Sequence, residues 1–236
     1  MLAPAAPDEG RTVRDGRVLV DGVGLEDSNP MNDPRSPPFI GDLGAALAPL
    51  PVRIPDADDQ DALDRIASTA PSDALWVGAA RLAGALAAAG DALEKPWSTI
   101  GHGARVVFVV GSAHPRAEVQ IKALEEAGFG PALLARPACR ADPLTVQEAL
   151  AAHAVSVIDI RRPDIVAVSG GETALALIKA LRVGSLRVLG QPMLGICAAT
   201  MAYGDTSLLF LTKAGGFGRE AVLVDLASKF GLRVAI

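Results

Sequence analysis

Three glycine-containing turns carry the residue types best suited to holding a phosphorylated ligand. They are Gly111-Ser112, the run Gly-Gly-Glu-Thr at 170–173, and the run Lys-Ala-Gly-Gly-Phe-Gly at 213–218. Glycine accepts positive φ without steric cost and lets a ligand approach the backbone. The amides of a following helix then favour negative charge. The turns predict a phosphate or nucleotide site, although none is a Walker A or G-x-G-x-x-G motif, and each turn alone is also compatible with a mere tight connection.

The elements that must position these turns are short apolar runs followed by helical patterns. Residues 104–110, 164–168 and 207–211 predict buried strands, and helices are predicted to follow at 115–127, 173–181 and 220–230. Alternation of this kind favours an α/β fold, a mostly parallel sheet with helices on both faces. Ligands in such sheets bind at the carboxyl ends of strands, so the three turns are expected to line one crevice.

The whole chain is predicted to have three parts. Residues 1–40 are expected to be an irregular segment with one hairpin-like piece at 16–22, which the family resemblance described below implies is a remnant of a substrate-domain region, and 41–98 a small α/β segment. Residues 99–236 are expected to be a nucleotide-binding α/β domain. Within these parts the patterns predict a strand at 51–54, helices at 58–67, 78–90 and 145–160, a linker at 91–103 and irregular chain over 190–205.

Composition excludes several classes of function. Half of the 236 residues are hydrophobic and the mean hydropathy is +0.32, which suffices for a sizeable core. A net charge of −5 argues against a nucleic-acid-binding surface. No apolar run is long enough to span a bilayer and no signal peptide is evident, so a cytoplasmic protein without a membrane partner is expected. Cys139 and Cys197 form neither a disulfide framework nor a metal-binding pattern.

Four motif elements, in this order, resemble the carboxyl-terminal half of the four-carbon acid sugar kinases, the family of 3-oxo-tetronate, D-threonate and D-erythronate kinases. The family pattern G-S-x-x-P-x-T-x-x-Q is matched at 111–120 except at Ala117, and G-G-[DE]-T and K-[AS]-G-x-F-G are matched at 170–173 and 213–218. The pattern G-E-x-x-P-G is altered at 190–195, with Gln191 for the acid and Leu194 for the proline. Three upstream stretches resemble the family's middle region: 16–22, 33–37 and 76–78.

The resemblance implies ATP and Mg²⁺ as cofactors. Ser112 would hydrogen-bond the nucleotide, Glu172 would orient magnesium-bound water, and Lys213 would place positive charge near the transferring phosphate. The alternatives are a turn residue, a first-turn acid that satisfies the helix dipole, and a solvated loop lysine. The implied cofactor-binding residues are Ser112, Gly170, Gly171, Glu172, Thr173, Gly190, Gly195, Lys213, Gly215, Gly216 and Gly218. No catalytic residue and no protein-held metal is identified.

Two functions are expected from this resemblance. The first is the ATP-binding portion of a sugar acid kinase, which transfers phosphate to a sugar acid when complete. The second is a truncated, non-catalytic nucleotide-binding or regulatory protein, because the family's D-D-x-T-G substrate motif does not occur in residues 1–236. A separate chain that supplies the substrate domain, and a homodimer, are left open as partners. The neighbours Ser112 and His114 are not expected to form a nucleophile pair, and the acidic run at 56–61 is expected to be a solvated helix start.

Overall fold

The computed structural model describes residues 1–28, 41–88, 103–112, 114–129, 133–134 and 142–234. The chain divides into two compact units, Met1–Lys95 and Pro96–Ile236. Cys139, the family-like stretch at 33–37 and nearly all of the predicted linker lie outside the described residues. The three-part division drawn from the sequence stays a prediction.

The amino-terminal unit contains small sheets and three described helices. Its strands are β1 Leu2–Ala3, β2 Arg11–Arg14, β3 Arg17–Val20, β4 Val23–Gly24 and β5 Val77–Gly78, and its helices are α1 Leu43–Leu47, α2 Gln60–Thr69 and α3 Ala80–Ala88. Strands β2, β3 and β4 form an antiparallel sheet, and β1 pairs in parallel with β5. Val13, Val18, Leu63 and Leu82 are buried in the core of this unit.

Two predictions for this unit were wrong. Residues 1–28 are not irregular: they contain β1 to β4, whose hydrogen-bonded partners include residues distant in the chain, such as Val13 with Ala57 and Leu2 with Arg53. Residues 51–54 do not form a strand. The acidic run does start a helix, as expected, because the Asp59 side chain accepts a hydrogen bond from the Ala62 amide at 2.7 Å.

The carboxyl-terminal unit alternates strands and helices, and its α/β class confirms the prediction. Its strands are β6 Arg105–Val110, β7 Leu133–Leu134, β8 Ile165–Ser169, β9 Arg187–Met193, β10 Ile196–Tyr203, β11 Thr206–Lys213 and β12 Arg233–Val234. Its helices are α4 Pro115–Glu126, α5 Pro143–Arg161, α6 Gly171–Ala180 and α7 Val222–Lys229.

The described strands of this unit form one seven-stranded sheet in the order β12-β6-β8-β11-β10-β9, with β7 also paired to β6. Strands β12, β6, β7, β8 and β11 run parallel, whereas β9 and β10 add an antiparallel extension beside β11. The prediction of irregular chain over 190–205 was wrong, because most of it belongs to the β9–β10 hairpin. Gly190, Pro192 and Gly195 interrupt the alternation by which such a strand is recognised.

Helices cover both faces of this sheet. Phe108, Ala167 and Leu211 face α4 and α7 in one apolar cluster, whereas Val109, Val168 and Phe210 face α5 and α6 in another. Successive residues of one strand point to opposite faces, which is why β6 and β8 are apolar at almost every position. The sheet is thereby fixed from both sides, and the carboxyl ends of β6, β8 and β11 meet at one edge.

Candidate functional site

The three glycine turns converge at the carboxyl edge of β6, β8 and β11. The Gly111 amide donates to the Ser169 carbonyl at 3.2 Å, and the Gly170 amide donates to the Lys213 carbonyl at 2.9 Å. A Cβ at Gly215 would overlap the Ser112 hydroxyl and would lie 3.8 Å from the Gly170 Cα. Residues more than a hundred positions apart in the chain therefore meet at one edge of the sheet. We call this edge the crevice, because ligands of such sheets bind there.

Helix α6 begins at this crevice without a side-chain cap from any described residue. Its N-cap, Gly170, has φ +113°, a conformation that glycine adopts at little cost. The free amides of a first helical turn point out from its start and favour an anion. Glu172 lies exposed on that first turn, and an ideal Cβ at Gly171 would meet nothing within 4 Å. The start of α6 therefore faces open space.

Thr173 connects two of the turns from inside the protein. Its side chain is buried, and its hydroxyl donates to the Gln147 side-chain oxygen at 3.0 Å. The Gln147 amide in turn donates to the Gly111 carbonyl at 2.8 Å. The Thr173 hydroxyl proton is thus already engaged, so this residue fixes the turns relative to each other.

The loop at 214–219 is held from beneath by two buried side chains. Lys213 is 4% exposed, and its ammonium donates to the carbonyls of Ala214, Gly215 and Phe217 at 2.8, 3.0 and 3.0 Å. Gln120 is fully buried, and the two N–H groups of its amide are shared among three nearby carbonyls. These acceptors are Phe217 at 3.1 Å, Gly218 at 3.3 Å and Arg219 at 3.1 Å. Lys213 is therefore not the solvated loop lysine that the sequence allowed.

Burial changes the acidity of Lys213. Loss of solvation, together with a smaller effect of the nearby Arg116 charge, lowers its pKa to about 8. Lys213, which the sequence predicted to face a phosphate, thus directs its N–H donors at the carbonyls of its own loop.

The amino terminus of α4 forms another wall of the crevice. Ser112 Oγ accepts from the His114 backbone amide at 3.2 Å, and His114 Nδ1 accepts from the Arg116 backbone amide at 3.1 Å. Ser112 and His114 therefore share no side-chain hydrogen bond, as expected. Burial, followed by the charges of Arg116 and Lys213, lowers the pKa of His114.

The remaining predicted glycines occupy different surroundings. A Cβ at Gly216 would lie 2.7 Å from the His114 ring, and one at Gly218 would lie 3.0 Å from Val222. Gly195, in the β9–β10 turn, lies so close to the Phe217 ring that a Cβ would overlap it. Gly190 lies within β9 opposite Ala198, at an irregularity of the pairing. The altered 190–195 element thus touches the crevice loop through Gly195.

Several contributors to the site were not singled out from the sequence. Gln120 was quoted only as part of a motif, and its role under the loop depends on the fold bringing α4 to residues 217–219. No sequence pattern marked Gln147 or Arg116 as part of the site. Ser169, at the end of β8, is buried with a hydroxyl that has no hydrogen-bond partner among the described residues.

Metal-binding clusters and membrane-spanning helices are both absent from the described residues. These residues contain no group of three or more His, Cys, Asp or Glu residues that could hold a metal ion. Nor does any helix in that part of the chain have the length and apolar character needed to cross a membrane.

Comparison with known proteins agrees with this arrangement. A family described as a nucleotide-binding C-terminal domain matches residues 135–223. A D-threonate kinase of Bordetella bronchiseptica is 26% identical over 96% of this chain and 69% of that protein. Solved structures of a Haemophilus influenzae protein and of a putative tRNA synthase from Salmonella typhimurium share the fold. Their TM-scores are 0.58 and 0.64, with 16% and 17% identity; each match covers 97% of this chain and 73% of the other.

The matched nucleotide-binding family covers part of the carboxyl-terminal unit, whose described strands and helices form an α/β fold. These matches confirm the resemblance to the four-carbon acid sugar kinases that the motifs showed.

Proposed function

We propose that this chain binds ATP or ADP at the crevice between the three glycine turns and forms the ATP-binding portion of a sugar acid kinase. The observation that carries this proposal is the convergence of Ser112, Gly170 and Gly215 beside the uncapped start of α6. Open helix amides and exposed glycine backbone suit the phosphates of a nucleotide. Of the residues predicted from the sequence, Ser112 is proposed to face the nucleotide and Gly170, Gly171, Gly215 and Gly216 its phosphates, whereas the buried Thr173 and Lys213 hold the turns in place.

Magnesium fits this crevice as a companion of the nucleotide. Mg²⁺ is usually held by one or two carboxylates together with substrate phosphates and waters. Glu172, exposed on the first turn of α6, is suited to orient a magnesium-bound water. We propose that the phosphates themselves supply the remaining charge for the ion.

The proposed reaction transfers the γ-phosphoryl group of ATP to a hydroxyl of a sugar acid. The related Bordetella protein is a D-threonate kinase, so four-carbon sugar acids such as threonate are the first acceptors to test. Positioning and electrostatic stabilisation carry most of such a transfer. Since the acceptor also needs a site, we propose that the sugar acid is bound with the help of a substrate domain, in this protein or in a separate chain. A homodimer and a cytoplasmic location remain part of this proposal.

A second candidate is a nucleotide-binding protein that transfers no phosphate. It is favoured by the altered 190–195 element, in which Gln191 and Leu194 are exposed where the family pattern has an acid and a proline. The two candidates share nucleotide binding and differ in acceptor-dependent ADP release.

Isothermal titration calorimetry with ATP-Mg²⁺ and ADP tests the shared part. We expect a dissociation constant in the micromolar to millimolar range, about 4–8 kcal/mol of binding free energy. A titration with millimolar ATP that gives neither heat nor a thermal shift would contradict nucleotide binding.

A further inference from the structure

Lys213 has no donor left for a ligand. An ammonium group has three N–H donors, and the three hydrogen bonds to Ala214, Gly215 and Phe217 use all of them. Its side chain is also almost completely buried. The residue that the sequence predicted to face the phosphate is therefore directed into the protein.

Lys213 and Gln120 together fix the direction of the loop backbone. Their hydrogen bonds draw the carbonyls of Gly215, Phe217 and Gly218, among others, toward the protein. No described residue accepts from the amides of Gly215, Gly216 and Gly218. The Phe217 amide donates to the Ala214 carbonyl, so the adjacent open amides are those of Gly215 and Gly216. Adjacent open amides in a glycine-rich loop suit an anion.

Arg116 is the cation on the outer side of this loop. It lies exposed on the first turn of α4, and its Nη1 is 3.3 Å from the Gly216 carbonyl. No carboxylate of the described residues forms an ion pair with it, although the chain is acidic overall. Arg116 thus keeps donors and charge available beside the loop amides.

Three basic side chains, Arg116, His114 and Lys213, therefore lie beside residues 214–218, and no described carboxylate forms an ion pair with any of them. Burial first, and then the Arg116 charge, lowers the pKa of both Lys213 and His114. Like charges held together raise the free energy of the unliganded protein, and an anion bound among them offsets that cost. The arrangement points to a polyphosphate at the outer face of the loop.

We propose that Arg116 supplies the positive charge that meets the nucleotide phosphates, whereas Lys213 and Gln120 are positioning residues beneath the loop. This inference rests on the proposed function and adds Arg116 as the residue that binds the phosphates. It divides two tasks that the sequence had assigned to Lys213 alone.

The test compares binding of ADP and adenosine by calorimetry in four variants, with thermal unfolding measured for each. Arg116→Ala is expected to weaken ADP about 10- to 100-fold, leave adenosine unchanged and keep the melting temperature. Arg116→Lys should retain part of the ADP affinity because it keeps the charge.

Lys213→Met should lower both the melting temperature and the affinity for ADP, since it releases the loop. Lys122→Ala, on the same helix but paired with Glu126, is the matched control and should behave like the parent.

The failures of this inference and of the proposed function are distinguishable. If the parent binds ADP and Arg116→Ala binds it equally well, the assignment of Arg116 is overturned and nucleotide binding stands. If Lys213→Met loses ADP but keeps adenosine and its melting temperature, Lys213 is the phosphate ligand and the inference is again overturned. If the parent binds neither ADP nor ATP, the proposed function fails and this inference with it.

Discussion

Lys213 combines burial, three backbone hydrogen bonds and a pKa of about 8. Buried charges persist in proteins only when their donors are satisfied, and here the loop carbonyls satisfy them. Two glycines of the crevice differ in how they would tolerate a side chain. At Gly215 a Cβ would overlap Ser112, so a substitution there disturbs the protein itself, whereas at Gly171 a Cβ enters open space.

Gly171→Val is therefore the cleaner test of the crevice. We expect the variant to fold like the parent and to lose nucleotide binding, because its side chain occupies the space where phosphate must approach the backbone. Calorimetry with ATP-Mg²⁺ and a thermal unfolding curve measure the two effects. Gly184→Val, just after the end of α6, is the matched control because a Cβ there also meets nothing within 4 Å. Normal binding by Gly171→Val would place the ligand elsewhere.

The pKa of Lys213 predicts a pH dependence of stability. Folding lowers this pKa from 10.5 to about 8, so the unfolded chain binds more protons than the folded one between these values. The contribution of Lys213 to the free energy of unfolding should therefore rise with pH in this window, by at most about 1.4 kcal/mol per pH unit. Below the window the charged, buried form is the costly one.

Urea unfolding of the parent and of Lys213→Met, between about pH 8 and pH 10, measures this slope. The stability of the parent relative to the variant should increase with pH. Lys122→Met controls for the loss of an exposed positive charge. A difference that is constant or decreases over the range would contradict the burial of a titrating ammonium.

At the scale of elements, the crevice depends on how α4 and α6 meet the sheet edge. Helix α4 carries Gln120 under the loop and Arg116 beside it, and α6 presents its uncapped start. The apolar contacts of Leu124 and Leu177 with the two faces of the sheet hold these helices in place. The loop at 214–219 has no strand or helix of its own, so its shape is set by these neighbours.

Gln120→Leu tests this dependence. The substitution leaves the carbonyls of Phe217, Gly218 and Arg219 without their buried donor, so we expect a loss of about 1–3 kcal/mol in the free energy of unfolding. Nucleotide affinity should fall as well, because the loop amides are no longer directed outward. Denaturant titration and calorimetry measure both effects. Gln191→Leu, exposed on β9, is the control and should change stability little; equal effects for both would contradict a supporting role of Gln120.

At the scale of the whole molecule, an acidic chain concentrates basic groups at one loop of its carboxyl-terminal unit. The net charge is −5, yet Arg116, His114 and Lys213 gather around residues 214–218. Two acids of the run at 56–61 have local partners. Asp59 caps α2, and Asp58 pairs with Arg14 at 2.7 Å.

The 236-residue chain, assayed alone, is therefore expected not to phosphorylate threonate, erythronate or 3-oxo-tetronates. Transfer needs an oriented acceptor hydroxyl and usually a carboxylate that takes its proton. Asp58 and Asp59 are committed to the fold, and Glu172 lies on the turn assigned to the nucleotide. Slow ATP hydrolysis is the most activity expected. Robust ADP release that depends on one of these acids would show a complete active site and would contradict this prediction.

The sequence alone determined the class of fold, the resemblance to the four-carbon acid sugar kinases and the positions of the three turns. Continuous apolar runs at β6 and β8 and glycines directly after them are local signals, because a strand buried on both faces needs apolar residues at every position. The main helices were also predicted from local periodicity and caps, with ends shifted by a few residues. The β9–β10 hairpin was missed because Gly190, Pro192 and Gly195 hide its pattern. The hairpin-like piece predicted at 16–22 contains β3, whereas β1 was missed because this two-residue strand depends on its distant partner β5.

Only the tertiary structure decided what individual polar residues do. The sequence pattern of a lysine at the end of a strand is the same whether the side chain faces solvent, a phosphate or its own loop. Lys213 is buried because the chain from 214 to 219 folds back over it, and Gln120 reaches the same carbonyls because α4 packs on that face of the sheet. The hydrogen bonds of Gln120 join residues about a hundred positions apart, which no local pattern encodes. Lys213 bonds to its own loop, but only the fold of that loop buries it.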